Sequence, residues 1–376
     1  SNGINVSWKK VSGAKSYKLY RKASGAKKYS VVKKTNNKTV KYLDKKVSAD
    51  KTYSYQVVAV KGKETSKSKT KSITRLLAPK NVKVQSYASK TDCTLKGSKA
   101  DYVFDNVFTF DSKIGVKITW NKSKGANKYD IYRKVDNSKK YRKIKTVGNI
   151  STYLDRESFF SVVNLSYKVV ARKNTSASDY STTRKICYVE PSYIFTSSLS
   201  DELLVSWTQV AGCDGYKLYR SLTGKSGSYS YIGKYTTKEY KYEEKNAELG
   251  KTYYYKLVAY KGSNNSVGLT IKEKYEPVMT VNLNVGDTSD SVQKQFKKTL
   301  AKINKDLKRN MSDLYQEVTF DKIMESVRIE SKDEKVATVS KDYIITAVSQ
   351  GTIKAPIIQK LGNFELEKGF ILINVK

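Results

Sequence analysis

The sequence has no histidine, four prolines, and three each of cysteine, tryptophan and methionine. Without histidine there is no Ser-His-Asp triad, no Cys-His dyad and no imidazole-bound metal. So little proline and the lack of a G-X-Y period exclude collagen-like structure. No apolar run is long enough for a transmembrane segment. Cys93, Cys187 and Cys213 are odd in number and form no C-x-x-C pair. At most one internal bridge can form, one thiol stays free, and a disulfide-stapled small domain is excluded. Acidic residues are scarce, 35 against 72 basic, giving a formal charge of +37. No signal-peptide or anchor pattern occurs and the chain opens on Ser1-Asn2, so a piece of a longer protein is expected.

What remains is a globular composition of 376 residues, 39% hydrophobic and 28% charged, with 30 tyrosines and a mean hydropathy of −0.59. It is too apolar and tyrosine-rich for a disordered chain. Its most informative feature is repetition. The three tryptophans end alternating apolar runs: Ile4, Val6, Trp8; Val116, Ile118, Trp120; Leu203, Val205, Trp207. Such alternation marks one face of a half-buried strand. Nine positions after each Trp a second strand pattern begins, Tyr17 to Arg21, Tyr129 to Arg133 and Tyr216 to Arg220, each reading Y-x-[LI]-Y-R. An acidic residue follows 22 to 24 positions after each Arg: Asp44, Asp155 and Glu244. A long strand pattern comes next, ending at Ala59, Ala171 and Ala259. Each repeat thus holds about seven short strands in roughly 90 residues, the outline of a β-sandwich.

At these residues the chain resembles the fibronectin type III domain, in the form found in surface and secreted proteins of Gram-positive bacteria. The resemblance implies a tyrosine corner at Tyr53 and Tyr253, whose hydroxyl would fix a crossover between sheets. The middle repeat has Leu165 there. It also carries an insertion near 86–112 between its first two strands, and the first repeat lacks a first strand. The last hundred residues contain no Trp. Val327 to Val339, Ile344 to Val348 and Gly351 to Ala355 resemble the group 2 bacterial immunoglobulin-like domain, with Leu283 to Thr288 fitting its opening. Between these segments Val292, Phe296, Leu300, Ile303, Leu307, Met311, Leu314 and Val318 recur every three or four residues, an amphipathic helix near 290–318. Asp290 and Gln293 are placed for a capping box. The helix packs on its own sandwich or offers a docking surface. The expected fold is therefore all-β, tandem β-sandwiches at 1–76, 77–190, 191–276 and 277–376.

The charge is uneven. Residues 1–76 carry 21 basic and 3 acidic side chains, and 77–190 carry 23 and 10. Residues 191–276 carry 12 and 9, and 277–376 carry 16 and 13. The excess on the first half attracts polyanions. Dispersed lysine without a nucleic-acid fold signature argues against nucleic acid. An anionic cell-wall polymer or an acidic host glycan is the expected partner of a monomeric, extracellular protein.

No chemistry-bearing constellation assembles. Asp44, Asp155 and Glu244 recur at one place per repeat, which suggests a strand-end role capping backbone N–H groups. Asp333-Glu334 falls in a turn. No D-x-D-x-D cluster suits calcium, and no cofactor is expected. Tyr17, Tyr129 and Tyr216 read as core, and Tyr20, Tyr132 and Tyr219 as cross-strand partners. Binding residues cannot be named from the sequence. The resemblance implies a non-catalytic adhesin or stalk. The alternative is a set of spacer modules for a carbohydrate-active or wall-degrading enzyme whose catalytic domain lies outside this chain.

Overall fold

The computed structural model describes residues 3–93, 113–136, 138–310, 325–361 and 364–376, with Thr319 and Asp321. It is built of tandem β-sandwiches. Three share one plan, and their common strands are named here by their marker residues. The Trp strands are Ile4–Ser7, Ile114–Asn121 and Leu203–Trp207; the Arg strands are Ser16–Ala23, Lys128–Val135 and Gly215–Ser221. The acid strands are Lys41–Asp44, Thr152–Asp155 and Lys241–Glu244; the long strands are Thr52–Lys61, Val162–Lys173 and Thr252–Lys261. In every repeat the Trp strand pairs antiparallel with the acid strand in the smaller sheet. The Arg strand lies centrally in the larger sheet, beside the long strand. Lys80–Ala88 and Ile194–Ser198 complete the smaller sheets of the second and third sandwiches. The first smaller sheet has two strands, as its missing first strand requires.

Alternation places the cores. Tyr17, Tyr129 and Tyr216 are buried, each ring 5.4–5.8 Å from its repeat's Trp ring. Each tyrosine hydroxyl accepts the backbone N–H six residues earlier, of Val11, Ser123 and Val210, at 2.8–2.9 Å. This closes the turn between the Trp and Arg strands and satisfies a buried polar atom. The tyrosine corners are formed as well: Tyr53 Oη accepts from Ser48 N at 2.8 Å and Tyr253 Oη from Glu248 N at 2.9 Å. Leu165 fills the equivalent place in the second sandwich and is buried in that core.

The insertion begins later than the spacing indicated. The strand Lys80–Ala88 runs through 86–88, and residues 94–112 lie outside the described residues. Between them Asp92–Cys93 pairs parallel with Leu269–Lys274, an edge strand of the third sandwich, and Thr270 N donates to Thr91 O at 2.7 Å. None of the three cysteines is in a disulfide.

The chain divides into two compact units, one holding the first two sandwiches and the other the third and fourth with Asp92–Cys93. The fourth sandwich has a four-stranded sheet, Met279–Leu283, Phe364–Val375, Gly351–Leu361 and Val327–Ile329, and a three-stranded one, Thr288–Ser289, Ile345–Ala347 and Ala337–Val339. Its helix spans Ser291–Asn310; Met311, Leu314 and Val318 lie outside the described residues. Val292, Phe296 and Leu300 are buried in the domain's own core, with Phe296 edge-on to Tyr343 at 5.2 Å. The described part of the stripe therefore packs inward. The capping box is corrected. Asp290 Oδ1 pairs with Lys294 Nζ at 3.0 Å, and Gln293 Nε2 donates to Asp342 O at 3.1 Å. A flexible lysine one turn on and a neighbouring carbonyl win the side chains that the spacing had paired. The third and fourth sandwiches meet at a buried joint. Tyr275 Oη donates to the carbonyls of Leu199 and Ser200, its ring lies 5.8 Å from Phe370, and Glu367 accepts from Ser200 N and Oγ.

The corner hydroxyls make a local prediction. Tyr53→Phe and Tyr253→Phe each destabilise their sandwich by about 1 kcal/mol, one net hydrogen bond. Hydrogen exchange at the Ser48 and Glu248 amides should accelerate. Unchanged protection at both would show that the hydroxyls hold nothing.

Candidate polyanion-contact surface

The recurring acids are the first candidates to place. Asp44, Asp155 and Glu244 do sit at strand ends, and Asp44 Oδ1 accepts from Lys46 N at 3.0 Å as a turn cap would. They are also buried, with relative exposures of 1%, 5% and 6%, so capping is only part of their role. Each receives the Arg of its repeat from the opposite sheet. Arg21 Nη1 lies 2.9 Å from Asp44 Oδ2, Arg133 Nη1 lies 2.9 Å from Asp155 Oδ2, and Arg220 pairs with Glu244 Oε2. A tyrosine of the long strand completes each group: Tyr55 and Tyr167 donate at 2.8 Å, and Tyr255 at 3.4 Å. In the third sandwich Tyr242 donates to the same Glu244 oxygen at 3.1 Å. The signal was present in the sequence as three motifs, the Arg, the acid and the second tyrosine of Y-x-Y. Only the fold shows that they converge.

These groups are structural rather than catalytic. A general acid needs a poised carboxyl open to substrate, and here every carboxylate is saturated by guanidinium and phenol. The tyrosines record the same environment. Burial first, and then the adjacent Asp44, Asp155 or Glu244, pushes Tyr55, Tyr167 and Tyr255 far above the ordinary phenol range. Burial likewise raises Tyr216, Tyr242 and Tyr343 to about 12.

A cavity of about 820 Å³ in the fourth sandwich is bordered by Asp321, Glu325, Asp342 and Glu365. Arg328 grips Glu365 with two bonds of 2.8 Å and holds its carboxyl below the usual range, the reverse of a raised general acid. Asp333 and Glu334 are exposed in a turn, where Asp333 Oδ1 accepts from Lys335 N at 3.0 Å. Among the described residues no group of three or more Cys, Asp or Glu could hold a metal, and no helix is long and apolar enough to cross a membrane.

The remaining feature is basic surface. Residues 61–72 form one edge of the first sandwich, every one exposed, and include Lys61, Lys63, Lys67, Lys69 and Lys71 against Glu64 alone. Lysines on an edge strand also oppose edge-to-edge pairing, but a charge density of five in twelve residues exceeds that need. In the second sandwich Arg142, Lys145 and Arg156 surround a groove of about 400 Å³ that also exposes Tyr153. Lysine and tyrosine interleave on the larger sheets. Lys168 lies 4.3 Å from the Tyr141 ring and Lys256 5.1 Å from Tyr229, at corresponding places in the second and third repeats; in the first, Lys22 of the Arg strand lies 5.3 Å from Tyr29. Tyr132 and Tyr219 make ring contacts with Tyr180 and Tyr231, as their strand phase predicted.

No family model matches the chain, and no curated protein does. Among solved structures, the chain is similar to the FN1–FN3 domains of chicken CNTN1, at 18% identity over 69% of this chain and 90% of that one, with a TM-score of 0.23. It is also similar to a two-domain fibronectin type III segment from chicken tenascin, at 16% identity over 52% and 99%, with a TM-score of 0.27. The tandem β-sandwich fold stands on the strand order and register described above.

Two expectations follow from the buried groups. Asp155→Ala costs about 2–4 kcal/mol, because Tyr167 and one edge of Arg133 lose their buried partner while Glu157 keeps the other edge. Glu244→Ala costs less, since Arg220 is 41% exposed and can turn to water whereas Arg133 is 6% exposed. Urea unfolding of the two variants checks the order, and an equal loss would contradict it. The second expectation concerns alkali. The unfolded tyrosines ionise near ~10, before the buried ones in the folded chain. The unfolded state therefore sheds protons first, so the stability these groups contribute is complete below that pH and is lost as pH rises above it. Ultraviolet titration of the phenolates should show the exposed rings ionising first and the buried ones only with unfolding. A single reversible phase for all rings would contradict this.

Proposed function

We propose that the chain is a non-catalytic stalk or spacer of an extracellular bacterial surface protein, whose first two sandwiches hold an anionic cell-wall polymer. The boundaries 1–76, 77–190, 191–276 and 277–376 are part of this reading, supported by sheets whose strands fall within each span, Asp92–Cys93 excepted. So is the group 2 bacterial immunoglobulin-like character of the fourth sandwich. It is supported by the parallel pairing of Met279–Leu283 with Phe364–Val375, while the inserted helix departs from the plain form of that domain.

The carrying observation is the combination of charge and exposure on residues 1–190. They hold 44 of the 72 basic side chains, while Asp44 and Asp155 are buried and paired inward and Asp130 is buried beneath Arg172. The outer field is thus left with few counter-charges. Contacts between lysine and phosphate or carboxylate are individually weak, sequence-independent and released by salt. Binding is accordingly expected to be broad and reversible.

The experiment is cosedimentation of the whole chain with purified Gram-positive cell walls, with and without their teichoic acid, over a salt series. A variant with glutamine at Lys61, Lys63, Lys67, Lys69 and Lys71 accompanies it. The wild type should sediment at low salt, detach as salt rises, and need the teichoic acid. The variant should detach at lower salt, since each neutralised lysine removes about one counterion-releasing contact. Absence of sedimentation at physiological salt would overturn wall attachment and leave the spacer for an enzyme as the better reading.

A further inference from the structure

We propose that the outward face of the larger sheet of the third sandwich is a binding site for an acidic saccharide, a pyranose chain bearing carboxylate or sulfate groups. This site does not depend on residues 1–190 binding a wall polymer, although Asp92–Cys93 pairs with the edge of the same sheet. By strand alternation the face carries Lys217, Tyr219, Tyr254, Lys256, Tyr260 and Lys272, Tyr260 itself being only 7% exposed beneath Lys217 and Lys234. Lys256 Nζ lies 4.6 Å from the Tyr219 ring centroid and 5.1 Å from that of Tyr229. Lys217 and Lys234 lie 5.0 and 4.8 Å from the Tyr260 centroid, and Lys272 lies 5.9 Å from that of Tyr254. Tyr231 meets Tyr219 edge-on at 5.5 Å and is 56% exposed.

Three observations point to a ligand. The first is charge segregation. The third sandwich carries 12 basic and 9 acidic residues, so its overall excess is small. Yet no outward position on its Arg strand, long strand, Ser230–Tyr235 or Leu269–Lys274 is acidic. Its ion-paired carboxylates Glu243, Glu244, Glu248 and Glu276 lie elsewhere, while Asp214, paired with Lys261, borders the face beside Lys234. Among the described residues no carboxylate pairs with Lys256 or Lys272.

The second observation is that the fold does not require this face. Matching register by register, the first sandwich has Ser54 where Tyr254 stands, Gln56 for Lys256 and Ser72 for Lys272. The same sheet is built there without those rings and ammonium groups. The second sandwich has Asp130 at the place of Lys217, covered by Arg172 at 2.7 Å. The third observation is the alternation itself. A pyranose offers C–H faces to aromatic rings and its anionic substituents to ammonium groups, so a lattice of both engages both. A bare polyphosphate would use the lysines alone.

The test is lysine-acetylation footprinting of the intact chain with dextran sulfate as the probe, at salt high enough to screen charge-only contacts. Neutral dextran and inorganic polyphosphate are the comparators. Acetylation of Lys217, Lys234, Lys256 and Lys272 should slow about fivefold with dextran sulfate and not with either comparator. The triple variant Tyr254→Ser, Lys256→Gln, Lys272→Ser installs the first sandwich's residues. It should lower dextran-sulfate affinity at that salt about tenfold, with the circular dichroism unchanged. If the triple variant does not fold, Lys256→Gln alone carries the test with the same footprint. Equal protection by polyphosphate, protection confined to residues 1–190, or undiminished binding by the variants overturns the proposal. Because each lysine is read separately, failure of this site and failure of the N-terminal half are distinguished in one experiment.

Discussion

A guanidinium drawn into a β-sandwich cannot be left without a carboxylate, and this constraint organises three quarters of the molecule. In each repeat the Arg comes from the larger sheet and the acid from the smaller, so the pair ties the two sheets at one end. A buried pair of this kind adds little net stability, because desolvation offsets much of the attraction. It does specify register. Sliding the Arg strand or the acid strand by one residue would turn one partner to the other face and strand the other charge. The phenols of Tyr55, Tyr167 and Tyr255 donate to a carboxylate oxygen that the guanidinium also meets. The degree of enclosure is graded, from Arg133 through Arg21 to Arg220.

Much of this was legible before any coordinates. Period-two alternation ending in Trp8, Trp120 and Trp207, with a tyrosine nine positions on, located strands and core rings in all three repeats. The corner at Tyr53 and Tyr253 could be read because it depends on a local backbone geometry. What escaped depends on distance in sequence. Arg21 and Asp44 are 23 positions apart, and nothing local says that a repeated acid faces inward rather than capping a turn. The capping box failed for a related reason, since Gln293 found a carbonyl at Asp342, far along the chain. The basic–aromatic face of the third sandwich was invisible as well. Its tyrosines were legible one strand at a time, but their meeting with lysines from neighbouring strands depends on register.

Charge is handled in opposite ways inside and outside. Inside, each ionised group has a partner at hydrogen-bond distance and little water between. Outside, lysines outnumber acids and several rest on tyrosine rings instead of carboxylates. Salt at moderate strength weakens the outer contacts and barely reaches the inner ones. A protein arranged this way can gain and release an anionic partner over a range of ionic strength while its sandwiches stay folded.

The two-residue strand Asp92–Cys93 has a genetic consequence. Repeats of this type are commonly pictured as beads that recombination can cut between and reorder. Here the open edge Leu269–Lys274 is covered by residues that precede the second repeat's Trp strand. A crossover between the second and third repeats would transplant the third without its cover and leave a bare edge able to pair with another chain. The heritable cassette is therefore longer than a single repeat, and gene rearrangements that preserve a soluble product should break the chain ahead of Lys80, not at residue 190.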